Sequence, residues 1–304
     1  MPARDIIVIG ASAGGFEALP ALMANLPAEL PAAVFVTMHV SERSQGILPQ
    51  LLSRAGPLLA AHAVDGEPIR AGRIYIAPPD YHLVLEPGRI LLSHGPKENL
   101  QRPCINVMFR SAAASYGERV AGVLLTGMLD DGVAGLWEVQ QHHGTTIVQD
   151  PEEATYRAMP ENAVRGLNVQ YIARLDEIPA LLTQLSVSDQ TLSVPGEPVW
   201  PIVENTNQAC PECGGAMTSV RMGRIREYRC HVGHRVGLQT MIVEKSRTIE
   251  RLIEVALSQS EELLSLLHIA QNELGPDSSE LEMEIAKRTS QREVLRRLSG
   301  NDKQ

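Results

Sequence analysis

Gly10-Ala11-Ser12-Ala13-Gly14 closes the apolar run from Ile6 to Ile9, and Gly15 follows at once. A small-residue turn between a β-rich run and a helical pattern (Phe16 to Leu26) has three chemical uses: binding a dinucleotide, cradling a phosphate, or presenting a nucleophilic serine. The first use needs Gly-x-Gly-x-x-Gly and a carboxylate at the end of the next strand. Here the glycines are Gly10, Gly14 and Gly15, and the next apolar run ends in Met38-His39. The second needs a lysine after the last glycine, where Phe16 stands. The third fits, because Gly-x-Ser-x-Gly allows a sharp turn that exposes the hydroxyl. A serine also needs a base to take its proton and a carboxylate to hold that base. His39 ends the second run, and Asp130 and Asp131 follow a later one, "VAGVLLTGMLDDG"; the residues alone leave the choice of aspartate open. The order Ser, His, Asp also differs from the Ser, Asp/Glu, His order of α/β-hydrolases.

A second constellation lies late in the chain. "CPECGG" supplies Cys210 and Cys213, and "YRCHVGHRVG" supplies Cys230, His231 and His234. Two knuckles of this spacing, joined by a short hairpin, build a structural zinc site in a small ribbon. His234 is the expected fourth ligand, since a residue adjacent to Cys230 turns back onto the same metal with difficulty; His231 is the reserve. Four protein ligands leave no open position, so zinc would support folding, and no cofactor is expected for catalysis. Cys104 stands apart and reads as a structural thiol. Arg221, Arg224, Arg226, Arg229 and Arg235 make the ribbon locally basic, which suits a nucleic-acid face, a surface for acidic helices, or plain solvation.

These residues need elements to hold them. From Asp5 to Leu185, short β-rich runs (33–38, 73–77, 120–126, 145–149, 169–172) alternate with helical patterns (16–26, 46–54, 106–116, 135–142, 176–185). That alternation predicts an α/β fold, a doubly wound, mostly parallel sheet with helices on both faces and the functional groups at the carboxyl ends of its strands. Pro78-Pro79-Asp80 and Glu86-Pro87-Gly88 punctuate a β-hairpin attached to that sheet. The expected organisation is a catalytic domain over 1–185, a Pro-bearing polar linker over 186–208, a zinc-ribbon-like module over 209–237 and a helical hairpin over 238–300. In the hairpin Ile242, Ile249, Ile253, Ala256, Leu263, Leu267, Ala270 and Leu274 form one stripe, Gly275-Pro276 the stop, and Asp277 with Glu280 a capping box. The chain of 304 residues is 44% hydrophobic and 21% charged, as expected of a globular protein of about two domains. Its net charge of -9 disfavours nucleic acid as a partner of the whole chain. It has no secretory leader pattern and no apolar run near the roughly 18 residues of a membrane span, so the expected location is the cytoplasm.

"IGASAGGFEAL", "MHV", "AGRIYIAPPDYHL", "LLTGMLDDGVAGL" and "VQDPEEATYRAMPENAV", in order over about residues 6–185, resemble the catalytic domain of the CheB-type chemotaxis protein-glutamate methylesterases. The resemblance implies Ser12 as nucleophile, His39 as base and Asp131, not Asp130, as the carboxylate. It also implies the Met128 backbone N–H as an oxyanion donor, and methylated chemoreceptor helices as the partner, with glutamine deamidation by the same steps. Two residues depart from the family pattern: Ala13 where Thr is frequent, and Leu129 where Gly is usual. Leucine resists the positive φ that glycine tolerates, which puts the oxyanion geometry in question. The expectation is an enzyme without the family's receiver domain, whose tail meets a sensory or signalling partner. A binding module on an inactive esterase scaffold is the alternative.

Overall fold

The computed structural model describes residues 3–40, 46–187, 200–274 and 279–300. In order, the elements are β1 (Ile6–Ala11), α1 (Gly15–Ala24), β2 (Ala33–Met38), α2 (Leu48–Ala55), β3 (Leu59–His62), β4 (Arg73–Ile76), β5 (His82–Glu86), β6 (Arg89–Ser93), α3 (Ile105–Tyr116), β7 (Val120–Leu124), α4 (Val133–Gln141), β8 (Thr145–Gln149), α5 (Ala158–Gly166), β9 (Tyr171–Ala173) and α6 (Ile178–Val187). Then follow β10 (Ile202–Ala209), β11 (Ala216–Met222), β12 (Ile225–Cys230), β13 (Arg235–Gly237), α7 (Leu238–Leu274) and α8 (Ser279–Leu298).

Among the described residues, seven strands form one parallel sheet in the order β3-β4-β2-β1-β7-β8-β9. Every residue of β1, β2, β7 and β8 is buried, which is why these segments are continuous apolar runs and not alternating ones. The strand period of two sends Ile6 and Val8 to one face with α3 and α4, and Ile7 and Ile9 to the other with α1, α2 and α6. Burying each such side chain stabilises the fold by roughly 1.5–3 kcal/mol. After β1 the chain lays down β2, goes on to β3 at the sheet edge, fills the place between them with β4, then returns to lay β7 on the other side of β1. The winding therefore reverses between β1 and β7, where such sheets leave a crevice at the strands' carboxyl ends.

The expected added hairpin is present as β5–β6, a two-stranded sheet of its own. It is held against α3, where Ser111 Oγ accepts from the Leu85 N–H (3.0 Å) and Ser115 Oγ donates to the Leu85 carbonyl (2.9 Å). The short, weakly patterned β3 was not expected at all. Within the span expected as linker, Ile202–Ala209 is β10, a mostly polar strand whose backbone pairs with β11; the remainder over 188–199 lies outside the described residues.

The late strands form an antiparallel sheet, β10-β11-β12-β13. Val220 and Met222 of β11 enter the same core as Phe109, Val133 and Leu136, and Met1–Thr240 constitute one compact unit. An ion network around the buried Glu98 and Glu227 contributes to the union. Arg110 of α3 grips Glu98 through two bonds of 2.9 Å, and Glu227 of β12 meets Arg229 and Arg235. The second unit, Met241–Gln304, is the helical hairpin, in which Arg296 of α8 bonds Glu261 of α7 at 2.8 Å. The expected stop at Gly275-Pro276 and the cap at Asp277 lie outside the described residues. No helix among them is long and apolar enough to cross a membrane.

Candidate active site

Ser12 leaves β1 on a turn whose shape requires glycine. Gly14 has φ +79°, and a Cβ there would lie 2.9 Å from Thr126 Oγ1. The Ser12 N–H donates to the Thr126 carbonyl at 3.0 Å, and the His39 N–H donates to that of Ala11 at 3.4 Å, so β7 and β1 fix the two backbones to one rim. Ser12 Oγ lies 3.0 Å from His39 Nδ1, and His39 Nε2 lies 2.6 Å from Asp131 Oδ2. The imidazole thus bridges hydroxyl and carboxylate, with the two ring nitrogens in the opposite roles from those of chymotrypsin. With the ring proton on Nε2 facing the carboxylate, Nδ1 would be left as an acceptor toward the hydroxyl.

Asp131 is buried but amply solvated by the protein. Besides His39, Oδ2 accepts from the Ile105 N–H (2.8 Å), while Oδ1 accepts from Asn99 Nδ2 (3.0 Å), Cys104 Sγ (3.0 Å) and the Asn106 N–H (3.3 Å). Burial alone would raise its pKa; the hydrogen bond and charge of His39, then Cys104 and Ile105, overcome this and hold it well below the usual carboxylate range. Cys104 is the reverse case. Burial first, then the Asp131 charge, pushes its thiol well up, so it is a neutral donor and not a nucleophile.

The loop between β7 and α4 supplies the rest. The Met128 N–H has no acceptor among the described residues, and its side chain is 56% exposed. Gly127 is pinned on both sides, its N–H to Tyr156 O and its O to the Met159 N–H, each at 2.9 Å. Leu129 adopts φ +63°, the left-handed conformation that the sequence departure put in question. The strain of about 1 kcal/mol is offset by Asn162 Nδ2, which donates to the Leu129 carbonyl at 2.7 Å. A Cβ on Gly127 would come 3.0 Å from Ser12 Cβ and 2.8 Å from Met159 Sδ, with Met159 fully buried. Gly127→Ala is therefore expected to lower the melting temperature by a few degrees and turnover at least tenfold, read by thermal unfolding beside steady-state kinetics.

Asp130 turns away from Ser12. Its Oδ1 accepts from Thr240 Oγ1 (2.6 Å) and its Oδ2 from the Gln239 N–H (2.9 Å), so it caps the start of α7. Neither Asn99, Thr126, Asn162 nor Asp130 was singled out for these contacts from the sequence. Thr126 stood in a motif, but its Oγ1 bonds to Ala13 O (3.0 Å) and the Tyr156 N–H (2.9 Å) exist only in the fold.

At the other end of the unit, Cys210, Cys213, Cys230 and His234 bring one ligand atom each within 4.8 Å of all the others. Cys213 Sγ to Cys230 Sγ is 3.9 Å, Cys210 Sγ to His234 Nδ1 3.7 Å and Cys230 Sγ to His234 Nδ1 3.5 Å. A tetrahedral metal with bonds of about 2.0–2.3 Å requires separations of roughly 3.5–3.8 Å, so the donor set fits such an ion. Burial raises the Cys230 thiol, but backbone bonding around Val232 and the His234 contact bring it down to about 6, favouring the thiolate that binds metal. His231 lies instead against Gly215. Of the ribbon arginines, Arg226 bonds Glu204 at 2.9 Å, Arg229 pairs with Glu227, and Arg235 and Arg221 approach carboxylates at 3.6 and 3.8 Å. Four of the five thus meet a carboxylate, and Glu204 and Glu227 are each shared by two of them.

A doubly wound parallel sheet that brings serine, imidazole and carboxylate together at its switch point defines an α/β protein with the fold of a hydrolase. The family model described as CheB methylesterase matches residues 7–182, and the chain belongs to that family. It is 39% identical over 189 residues to protein-glutamate methylesterase/protein-glutamine glutaminase 2 of Anaeromyxobacter dehalogenans, covering 61% of this chain and 55% of that one. With the protein-glutamate methylesterase/protein-glutamine glutaminase of Chromohalobacter salexigens it shares 40% identity over 187 residues, covering 60% of this chain and 52% of the other. It therefore spans about half the length of these curated relatives. The crystal structure of the Thermotoga maritima CheB methylesterase catalytic domain superposes with a TM-score of 0.57 at 32% identity, over 60% of this chain and 99% of that one.

Proposed function

We propose that the protein is a protein-glutamate methylesterase of chemoreceptors, acting in the cytoplasm. Ser12 Oγ attacks the γ-carbonyl of a receptor glutamate methyl ester as His39 Nδ1 takes its proton. The tetrahedral oxyanion is received by the Met128 N–H, and His39 returns the proton to departing methanol. Water, deprotonated by His39, then releases the glutamate and restores Ser12. A glutamine side chain follows the same steps with ammonia as the leaving group. Throughout, Asp131 stays ionised, holds the Nε2–H tautomer and stabilises the imidazolium. The observation that carries the reading is the Ser12–His39–Asp131 relay at 3.0 and 2.6 Å on the sheet's switch-point rim. The reading is supported by the family membership and by the names of the relatives. Methanol release from methylated chemoreceptor fragments tests it; a well-folded protein that releases none would overturn it.

In this reading residues 1–185 carry the reaction, 209–237 form a structural zinc module and 238–300 a hairpin that meets a signalling partner. Zinc on Cys210, Cys213, Cys230 and His234 supplies folding free energy and no chemistry at Ser12. The expected stoichiometry is about one zinc per chain by elemental analysis, lost in Cys210→Ser with Cys213→Ser, with a melting temperature lowered by several degrees. A zinc content unchanged in that double variant would remove the assignment.

A further inference from the structure

The catalytic carboxylate is bonded to the late strands through one side chain. Asn99 is buried, and its Nδ2 donates to Asp131 Oδ1 at 3.0 Å while its Oδ1 accepts from the Gly237 N–H of β13 at 2.7 Å. Its backbone N–H donates to Arg235 O at 2.7 Å, and Glu98 bridges Arg235 in parallel register. Asn99 and Leu100 both take left-handed conformations, φ +49° and +62°. Two adjacent non-glycine residues in that region are strained, and such strain persists where surrounding contacts enforce it. Here the enforcing contacts are β13 on one side and Asp131 on the other. The neighbouring Asp130 meets the same junction from below, capping α7 through Gln239 and Thr240, and a side chain on Gly237 would collide with its carboxylate. Two consecutive aspartates thus face opposite ways, one to the imidazole and one to the tail, with Gly237 beside Asp130 and joined to Asp131 through Asn99.

We infer that Asn99 is a positioning residue for Asp131, and that the β13–α7 junction sets the alignment of the Ser12–His39–Asp131 relay through it. The residues beyond the family match, which ends at residue 182, are then part of the catalytic scaffold. An amide suits this post: one end must donate to a carboxylate while the other accepts a backbone N–H, and Asn does both with a single rigid group. The inference rests on the esterase reading only for its kinetic arm.

Asn99→Asp keeps the acceptor for Gly237 and tolerates the left-handed backbone, but replaces the donor with a second carboxylate beside Asp131. The other charged or titratable groups around Asp131, namely His39, Cys104, Asp130, His82 and Glu98, are left in place. Two carboxyl groups about 3 Å apart in a buried site hold one proton between them, so the substitution draws Asp131 into a shared hydrogen bond and weakens its hold on His39; the Nε2–H resonance of the His39 ring, followed by NMR without any substrate, is expected to move from its position in the unaltered protein, and kcat to fall severalfold. Asn99→Ala is expected to lower kcat about tenfold with KM within about twofold, because the loss falls on alignment and not on substrate contacts. Thr240→Val loosens the junction from the far side. It should lower kcat/KM severalfold in the unaltered protein and have little effect in the Asn99→Ala background. An unmoved His39 Nε2–H resonance in folded Asn99→Asp would overturn the positioning role. Equal effects of Thr240→Val in both backgrounds would overturn the connection to the junction. Absence of methanol release by the unaltered protein would fault the esterase reading instead, leaving the ring resonance to decide on Asn99.

Discussion

Ser12→Ala is expected to abolish methanol release, with kcat lower by on the order of 10⁴-fold or more while receptor fragments still bind. The alanine methyl fits where the small turn already holds Ser12, so folding is retained and the loss is chemical. His39→Ala should fall to the same level, and combining the two should cost almost nothing further, because nucleophile and base act as one unit across their 3.0 Å contact. Steady-state rates for both single variants and the double variant check this. Multiplying losses in the double variant would mean that Ser12 and His39 act in separate steps.

Asp131→Asn has the next largest effect, expected at 10³–10⁴-fold in kcat. An amide in that site faces donors on both sides. If its nitrogen points to His39, Nε2 must become an acceptor, the ring proton moves to Nδ1, and Nδ1 can no longer receive the Ser12 proton. If the nitrogen points the other way, it meets the Asn99 amide and the Asn106 N–H, leaving buried donors unpaired at about 1–3 kcal/mol. The pH dependence follows from the sign of the Asp131 shift. Its pKa is lowered in the folded protein, so the stabilisation it provides is complete above the ordinary carboxylate value near 4 and disappears as the pH falls toward the folded value. The stability gap between the unaltered protein and Asp131→Asn should therefore be constant near neutrality and narrow on acidification, as measured by urea unfolding at several pH values. A gap that widens in acid would contradict the ionised role.

The sheet and most of its helices were legible because their signals are local. β1, β2 and β8 are buried on both faces, which demands unbroken apolar runs that stand out against polar turns. β10 was hidden for the opposite reason: "IVENTNQA" has one end in apolar residues and the rest in polar ones, and only its partner β11 makes it a strand. Ser12 and His39 were legible since each directly follows a recognisable strand. Asp130 and Asp131 were not separable from residue types, because neighbours on one loop carry the same chemistry and diverge only through what faces them: Cys104 and the start of α3 for one, the start of α7 for the other. Asn99 left no trace in any periodicity, for its value lies wholly in joining two segments distant in sequence.

Sharing one core between the α/β layer and the late sheet also bears on how the chain can be handled. The family boundary near residue 182 looks like a natural place to stop, yet Val220, Met222 and Ile225 press into apolar surface around α4 and α5. A shortened protein ending after α6 would present that surface to water, and it would be poorly soluble and prone to stick to its own kind.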